Sequence, residues 1–316
     1  MRVAVSGSAG RLGRALVLAL EEAPFTGPFG PIAWPRSELD LDRPEVIDSL
    51  LERDRPEVVV HAAAWTDVDG CAADPALALR RNGDATGRVA RACAQRGIDL
   101  VVVSTNEVFD GTRTDGRGYA PADPPRPANP YGASKLAGEV AAREAYGLSA
   151  GAHASGGDLD RRGPALGIVR TAWLFGPPGS DFPAKILAAA GRARATGEPL
   201  RVVADELGNP TYTADLADAI VELIGAADLA GIHHVVNWGV ASRADWAREL
   251  LRQAGVEVAI TGIRRTDWPR ASAPPGWGVL EPTPLPSGEP LRPWTQALAD
   301  YLPALLRVGA GASGRR

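Results

Sequence analysis

The chain has 316 residues, 45% of them hydrophobic and 23% charged, with a net charge of -4. That is enough apolar material for one large or two modest globular domains. Acids outweigh bases and the arginines are scattered, which argues against a nucleic-acid partner. No apolar run is long enough for a bilayer span, and no charged segment followed by an apolar one opens the chain, so a cytoplasmic protein without membrane contact is expected.

Short β-branched runs alternate with longer helical ones from the start. Val3–Ser6, Ile32–Trp34, Val58–His61 and residues 100–104 read as strands, with helices over 12–22, 44–53 and 75–95 between them. This is the pattern of stacked βαβ units and a parallel sheet. The Val-Val-Val runs at 58–60 and 101–103 fit strands buried on both faces. Directly after the first strand comes Gly7-Ser-Ala-Gly10-Arg11-Leu12-Gly13. Glycines there allow bare backbone to meet a pyrophosphate at a helix N-terminus, although a purely structural turn has the same spacing.

After the second strand, Arg36 stands where an NAD site would place an acid, so the 2'-phosphate of NADPH is the favoured cofactor group, with NADH left open. Asp40 and Leu41 follow as an adenine-contacting pair, although Asp40 equally suits a helix start. Ala62, Ala63 and Ala64 after the third strand permit close approach of a cofactor or simply close packing. The fourth strand ends in Ser104-Thr105-Asn106-Glu107, at the strand end where an open α/β sheet holds its ligand, which places Thr105 to bond a substrate oxygen or to cap a turn. Cys71 and Cys93 lie in Ala-rich helical surroundings and read as reduced core thiols. The four histidines lack metal-ligand spacing, and His233 and His234 point to opposite faces of a strand, so no metal is expected.

Only two of the 34 basic residues are lysines. One, Lys135, sits four residues after Tyr131 in the run 129–139, on the same helical face. Arginine serves as well as lysine for a solvated charge, but not as the compact, tunable ammonium that favours a phenolate. Spacing alone also fits an ordinary surface pair. The helix continues to 146, residues 149–167 read as an exposed mobile loop, and a strand resumes over 168–173. A helix over Phe182–Thr196, a strand over Leu200–Val203 and a helix over 213–224 follow, then a helix capped by Ser242 with Asp245 three residues on. The Pro-rich segment 269–293 is irregular, with Trp268, Trp277 and Trp294 suggesting a packed lid or loop, and the tail 309–316 is expected to be disordered.

The expected architecture is therefore a doubly wound, Rossmann-type parallel sheet with a smaller C-terminal substrate domain. The dinucleotide domain would span 1–167, with 168–176 and about 211–225 returning to it, and the substrate domain about 177–210 and 226–308.

These residues resemble the extended short-chain dehydrogenase/reductase superfamily and, within it, the dTDP-4-dehydrorhamnose reductase family. The likeness runs from Met1 to about Leu306 and is densest at 62–69, 104–111, 129–139, 170–176 and 205–213. It implies NAD(P)H-dependent reduction of the C4 carbonyl of dTDP-4-dehydro-6-deoxy-L-mannose to dTDP-L-rhamnose. By the same resemblance Tyr131 donates the proton to O4, Lys135 holds the nicotinamide ribose, and Thr105 orients the carbonyl. Thr66, Val68, Asn106, Glu107 and Trp173 would meet the sugar, with a core role as the alternative for Trp173. Where the family commonly reads Ser-Thr-Asp-Tyr-Val-Phe, this chain has Asn106 and Glu107; where it often reads Val-Asp-x-Ala-Glu, this chain ends in Ala72.

Thr105-Asn106-Glu107 is also similar to the Thr-Asp-Glu of nucleotide-sugar dehydratases that keep a bound NAD. Asn106, however, has no ionisable proton. That dehydratase or epimerase reading, and a non-catalytic NADP-binding regulatory subunit, remain as alternatives. A homodimer is left open.

Overall fold

The computed structural model describes residues 1–148, 163–178 and 181–313. Its elements begin with β1 (Val3–Ser6), α1 (Arg11–Glu22), β2 (Ile32–Trp34), α2 (Ile47–Asp54), β3 (Val58–His61), α3 (Val68–Ala73), α4 (Pro75–Ala78), α5 (Ala85–Ala94), β4 (Asp99–Thr105) and α6 (Pro130–Ala145). They continue with β5 (Leu166–Thr171), β6 (Leu174–Phe175), α7 (Phe182–Thr196), β7 (Leu200–Val203), β8 (Leu207–Gly208), β9 (Thr211–Tyr212) and α8 (Thr213–Gly225). The last are β10 (Gly231–His234), β11 (Ala241–Ser242), α9 (Arg243–Gln253), β12 (Ile260–Ile263) and α10 (Trp294–Ser313).

Six strands form one sheet in the order β2-β1-β3-β4-β5-β10, every neighbouring pair parallel. The chain steps from β1 outward to β2, then crosses back over β1 to β3 on its other side, so a crevice opens beyond the carboxyl ends of β1 and β3. Alternate residues of the central strands feed two cores. Val3, Val5 and Val101 pack with Leu16 and Leu20 of α1 and Leu216, Ile220 and Leu223 of α8. Ala4, Val59, Leu100 and Val102 pack on the other face with Leu50, Leu51, Val89 and Ala142. The unbroken valine runs follow from this double burial, at about 1.5–3 kcal/mol for each large side chain removed from water.

A third core lies outside the sheet, where Phe175, Ile186, Trp246, Leu250, Leu298 and Tyr301 gather from β6, α7, α9 and α10. Ser242 and Asp245 form a complete capping box at the start of α9. The segment Pro269–Pro293 is indeed irregular, but it is bonded down on both sides rather than free. Tyr119 N–H donates to Val279 O at 2.8 Å, Gly278 N–H to Leu207 O at 2.8 Å and Thr283 N–H to His234 O at 2.9 Å. Ser272 N–H donates to Asp69 Oδ1 at 2.8 Å.

Three expectations need correction. Residues 231–234 were assigned to the substrate domain, yet the strand that carries His233 and His234, β10, pairs with β5 at the edge of the central sheet; it lacks the valine run that marks the other sheet strands. The helix expected over 75–95 is divided, with a π-helical segment Leu79–Asp84 between α4 and α5. The tail expected to be disordered from 309 is helical as far as Ser313, and 314–316 lie outside the described residues. Most of the loop expected over 149–167 also lies outside them, β5 beginning at Leu166.

Candidate active site

The carboxyl ends of the strands face a cleft of about 530 Å³. At one end, β1 runs into the glycine turn. Gly7 has φ +66°, and a Cβ there would lie 2.9 Å from the backbone of Ala63, while one on Gly13 would lie 2.1 Å from Gly7 O. Helix α1 has no side-chain cap and no acid in its first turn, so its leading N–H groups remain available to an anion. Gly7, Gly10, Arg11, Leu12 and Gly13 line this end, opposite Ala62, Ala63 and Ala64. The fit to a dinucleotide's pyrophosphate is therefore steric as well as electrostatic. Arg11 also reaches across the cleft, its Nε donating to Gly176 O at 2.9 Å.

Arg36, Asp40 and Leu41 line the same cleft. The Arg36 side chain is 76% exposed and only loosely paired, 3.8 Å from Asp40 and 3.7 Å from Asp42. Asp40 begins no helix; its Oδ1 accepts from Asp42 N–H at 3.1 Å and so shapes a turn. Asp42 is bound in fork geometry by Arg81 at 2.7 and 2.6 Å.

At the other end, Thr105, Tyr131, Lys135, Glu107, Trp173, Thr66 and Val68 line the cleft together. Helix α6 places Tyr131 and Lys135 one turn apart, and Asn129 caps it by accepting from Gly132 N–H at 2.8 Å. A Cβ on Gly132 would lie 2.0 Å from Glu107 O, so only glycine lets the helix start come so close to the end of β4. Asn129 Nδ2 in turn donates to Glu107 Oε2 at 2.6 Å. Thr105 lines the cleft and also accepts from Glu107 N–H at 3.2 Å as a turn cap. Trp173 has φ +47°, a conformation that costs a bulky residue energy and recurs at ligand sites.

Asn106 is not part of the cleft lining. It is buried, with Nδ2 donating to Gly278 O at 2.9 Å, and so ties the end of β4 to the Pro-rich segment. Of the candidate residues it alone is turned away.

The electrostatics modify the sequence reading of the Tyr131–Lys135 pair. Burial raises the Tyr131 phenol well above its ordinary range, the Glu107 carboxylate adds to the rise, and the Thr105 hydrogen bond opposes it. Lys135 does not produce the lowered phenol that its spacing suggested. Burial instead lowers Lys135 to about 8, against the pull of Glu139. The free site thus holds a neutral phenol, which is the form that can give a proton. Burial also raises Glu107, opposed by the Asn129 hydrogen bond and by the charges of Arg243 and Arg270. Behind Lys135, Glu139 takes a fork from Arg170 at 3.0 and 2.7 Å and a hydrogen bond from Ser104 at 2.5 Å. Both members of that ion pair are 2% exposed.

Sequence reasoning missed Trp65, Arg81, Asn82 and Arg243. Trp65 and Arg81 line the cleft and touch, the guanidinium lying 5.3 Å from the ring centre. Asn82, on the π-helical segment, exchanges two bonds with the Trp65 backbone at 2.8 and 3.0 Å and donates to Ser134 Oγ at 3.0 Å. It therefore braces the cofactor-side loop against α6. Arg243 had one visible signal, a cation in the first turn of a helix, where the macrodipole disfavours it. Among the described residues no cluster of His, Cys, Asp or Glu is arranged to hold a metal, and no helix is long and apolar enough to cross a membrane.

Hydride chemistry on a carbonyl needs a held dinucleotide, a proton source beside the carbonyl and walls that exclude water, and this cleft has residues placed for each. That places the chain among the nucleotide-dependent oxidoreductases of the extended short-chain dehydrogenase/reductase class. The family described as RmlD substrate binding domain matches residues 1–307, and the chain belongs to it and to the dTDP-4-dehydrorhamnose reductases. It is 36% identical to a dTDP-4-dehydrorhamnose reductase of Streptomyces griseus, over 99% of this chain and 97% of that one. It is 34% identical to a dTDP-4-keto-6-deoxy-D-glucose reductase of Streptomyces niveus, over 95% and 96%. A crystal structure of a dTDP-4-dehydrorhamnose reductase from Bacillus anthracis in complex with NADP superposes with a TM-score of 0.82 at 29% identity, covering 96% of this chain and 99% of that one.

Proposed function

We propose that this protein reduces the C4 ketone of a nucleotide-linked 4-dehydro-6-deoxy sugar, converting dTDP-4-dehydro-6-deoxy-L-mannose to dTDP-L-rhamnose with NADPH. The observation that carries this reading is the meeting of Thr105, Tyr131 and Lys135 at the end of β4, with burial keeping the Tyr131 phenol protonated. The bound nicotinamide supplies the hydride to C4. Tyr131 gives its proton to O4 as the alkoxide forms, and Thr105, lining the cleft at the end of β4, orients the carbonyl oxygen. Lys135, one helical turn away, adds positive charge in a site where little water screens it. The uncapped start of α1 and the glycine turn hold the pyrophosphate, and Arg36 at the rim meets the 2'-phosphate.

A second reading keeps the reaction and changes the sugar. Glu107 places a half-buried carboxyl group beside Tyr131, and the Streptomyces niveus relative is named for a D-glucose-configured ketosugar. The dehydratase reading is weaker, because Asn106 has no ionisable proton and its amide is spent on Gly278. The experiment is NADPH oxidation, followed by nicotinamide absorbance, with the L-mannose-configured and the D-glucose-configured dTDP ketosugars offered in parallel and the products resolved. Formation of dTDP-L-rhamnose supports the first reading. Turnover of only the other sugar moves the protein to the second, and turnover of neither, with NADPH still bound, favours a regulatory subunit.

A further inference from the structure

Arg243 stands on the first turn of α9 and lines the cleft along with Tyr131, Glu107 and Trp173. Its guanidinium carbon lies 3.6 Å from the centre of the Trp173 ring, with Phe182 at 5.3 Å and Trp246 at 5.7 Å. Among the described residues it has no ion-pair partner and no hydrogen-bond acceptor. The Arg243 charge interacts with Glu107 only at longer range, and burial lowers the guanidinium to about 10. Neighbouring arginines are different: Arg248 pairs with Asp245, Arg252 with Glu249 and Arg270 with Glu206.

The fold gains nothing from this placement. A cation on the first turn opposes the helix macrodipole, and a partly buried guanidinium without an acceptor carries a desolvation cost that stacking on a ring offsets only in part. Trp173, itself held at positive φ, and Phe182 and Trp246 lock the flat fork in one orientation. A preoriented fork of N–H donors facing an open cleft is matched by phosphate oxygens.

We propose that Arg243 is the anchor for the diphosphate of the nucleotide sugar, gripping the substrate's phosphates while its sugar lies against Tyr131. The anion is the substrate's and not the cofactor's, because Arg243 shares the Glu107–Tyr131–Trp173 end of the cleft, whereas the glycine turn that suits the cofactor's pyrophosphate follows β1 beside Ala63. The inference rests on the reductase reading for the substrate class, but it is tested through binding alone.

The test titrates the protein, saturated with NADPH, with dTDP and with thymidine by calorimetry, for wild type, Arg243→Met and Arg243→Lys. Loss of charge-assisted bonds to phosphate is expected to weaken dTDP by about 10- to 100-fold in Arg243→Met. Thymidine and NADPH affinities should stay the same, and Arg243→Lys should fall between, since it keeps the charge and loses the stacked fork. Wild-type dTDP affinity should also fall more steeply with salt than that of Arg243→Met. Unchanged dTDP affinity in a folded Arg243→Met or Arg243→Lys protein, a parallel loss of NADPH, or no dTDP binding by wild type would each overturn the assignment. Ketosugar turnover by wild type is scored separately, so Arg243-dependent dTDP binding without turnover would retire the reductase reading and leave the anchor standing.

Discussion

Tyr131 is buried at the start of α6, and losing one oxygen leaves no hole for solvent to fill. Tyr131→Phe is therefore expected to lower kcat by about 10²- to 10⁴-fold, the usual worth of positioned acid catalysis. NADPH affinity, measured by fluorescence titration, should be nearly unchanged; full activity in that variant would remove Tyr131 from the mechanism. Lys135 sets a pH limit. Its folded-state value of about 8 lies below the ordinary 10.5, so the ammonium is present below pH 8 and lost above it. If that charge holds the cofactor, kcat/KM for NADPH, which reports the free enzyme, should fall as pH rises through about 8. The same shift has the opposite sign for stability. Between about 8 and 10.5 the unfolded chain holds a proton that the folded one has released, so this group's contribution favours folding more as pH rises. Arg36→Ala should weaken NADPH far more than NADH, since the loosely paired guanidinium has a 2'-phosphate to meet in only one of them. Equal losses would make Arg36 a structural residue. Residues such as Tyr131 and Lys135 were legible because one short helix carries both and lysine is otherwise so scarce. Arg243 was not, because the ring that holds it lies seventy residues earlier, at Trp173, and only folding brings the two together.

The ends of elements determine the chemistry of this cleft. Helix α6 is pinned at its start by Asn129 and Gly132 against Glu107, and farther along by Glu139 against Arg170 and Ser104. Replacing Glu139 with Gln would leave Arg170 buried without a counter-charge, a loss of about 3–5 kcal/mol in stability. Urea unfolding would measure it, and a loss below 1 kcal/mol would mean that water or another group takes over the charge. Elements with a plain period were read directly from the chain: Phe182–Thr196 and Leu200–Val203 have the bounds expected for them. The strand at His233 and His234 was legible, but its place in the central sheet was not, because Gly231-Ile-His-His234 lacks the valines of the other strands and its burial is decided by β5 alongside. The π-helical segment was invisible for a related reason. One extra residue per turn leaves no mark on a run of Leu, Arg and Asn, yet it carries Asn82 to the cofactor-side loop.

Across the whole molecule the chain passes repeatedly between its cores. After β5 it enters the C-terminal core, returns through α8 and β10, leaves again for α9, and crosses back in the segment Pro269–Pro293. Because that segment bonds to Asp69 and Tyr119 on one side and to Leu207 on the other, the cores should melt together. Scanning calorimetry is expected to give a single endotherm, and two resolved endotherms would show that the cores are thermally independent. The placement of α8 also bears on the order of synthesis. As the chain leaves the ribosome, residues 1–178 carry the glycine turn and the tyrosine helix, but the α1 side of the sheet still waits for Leu216, Ile220 and Leu223. A nascent chain halted there would display an uncovered apolar layer and an incomplete sheet edge, which are the surfaces that chaperones hold. The half that looks most like a nucleotide-binding unit therefore becomes one only after its successor has been translated.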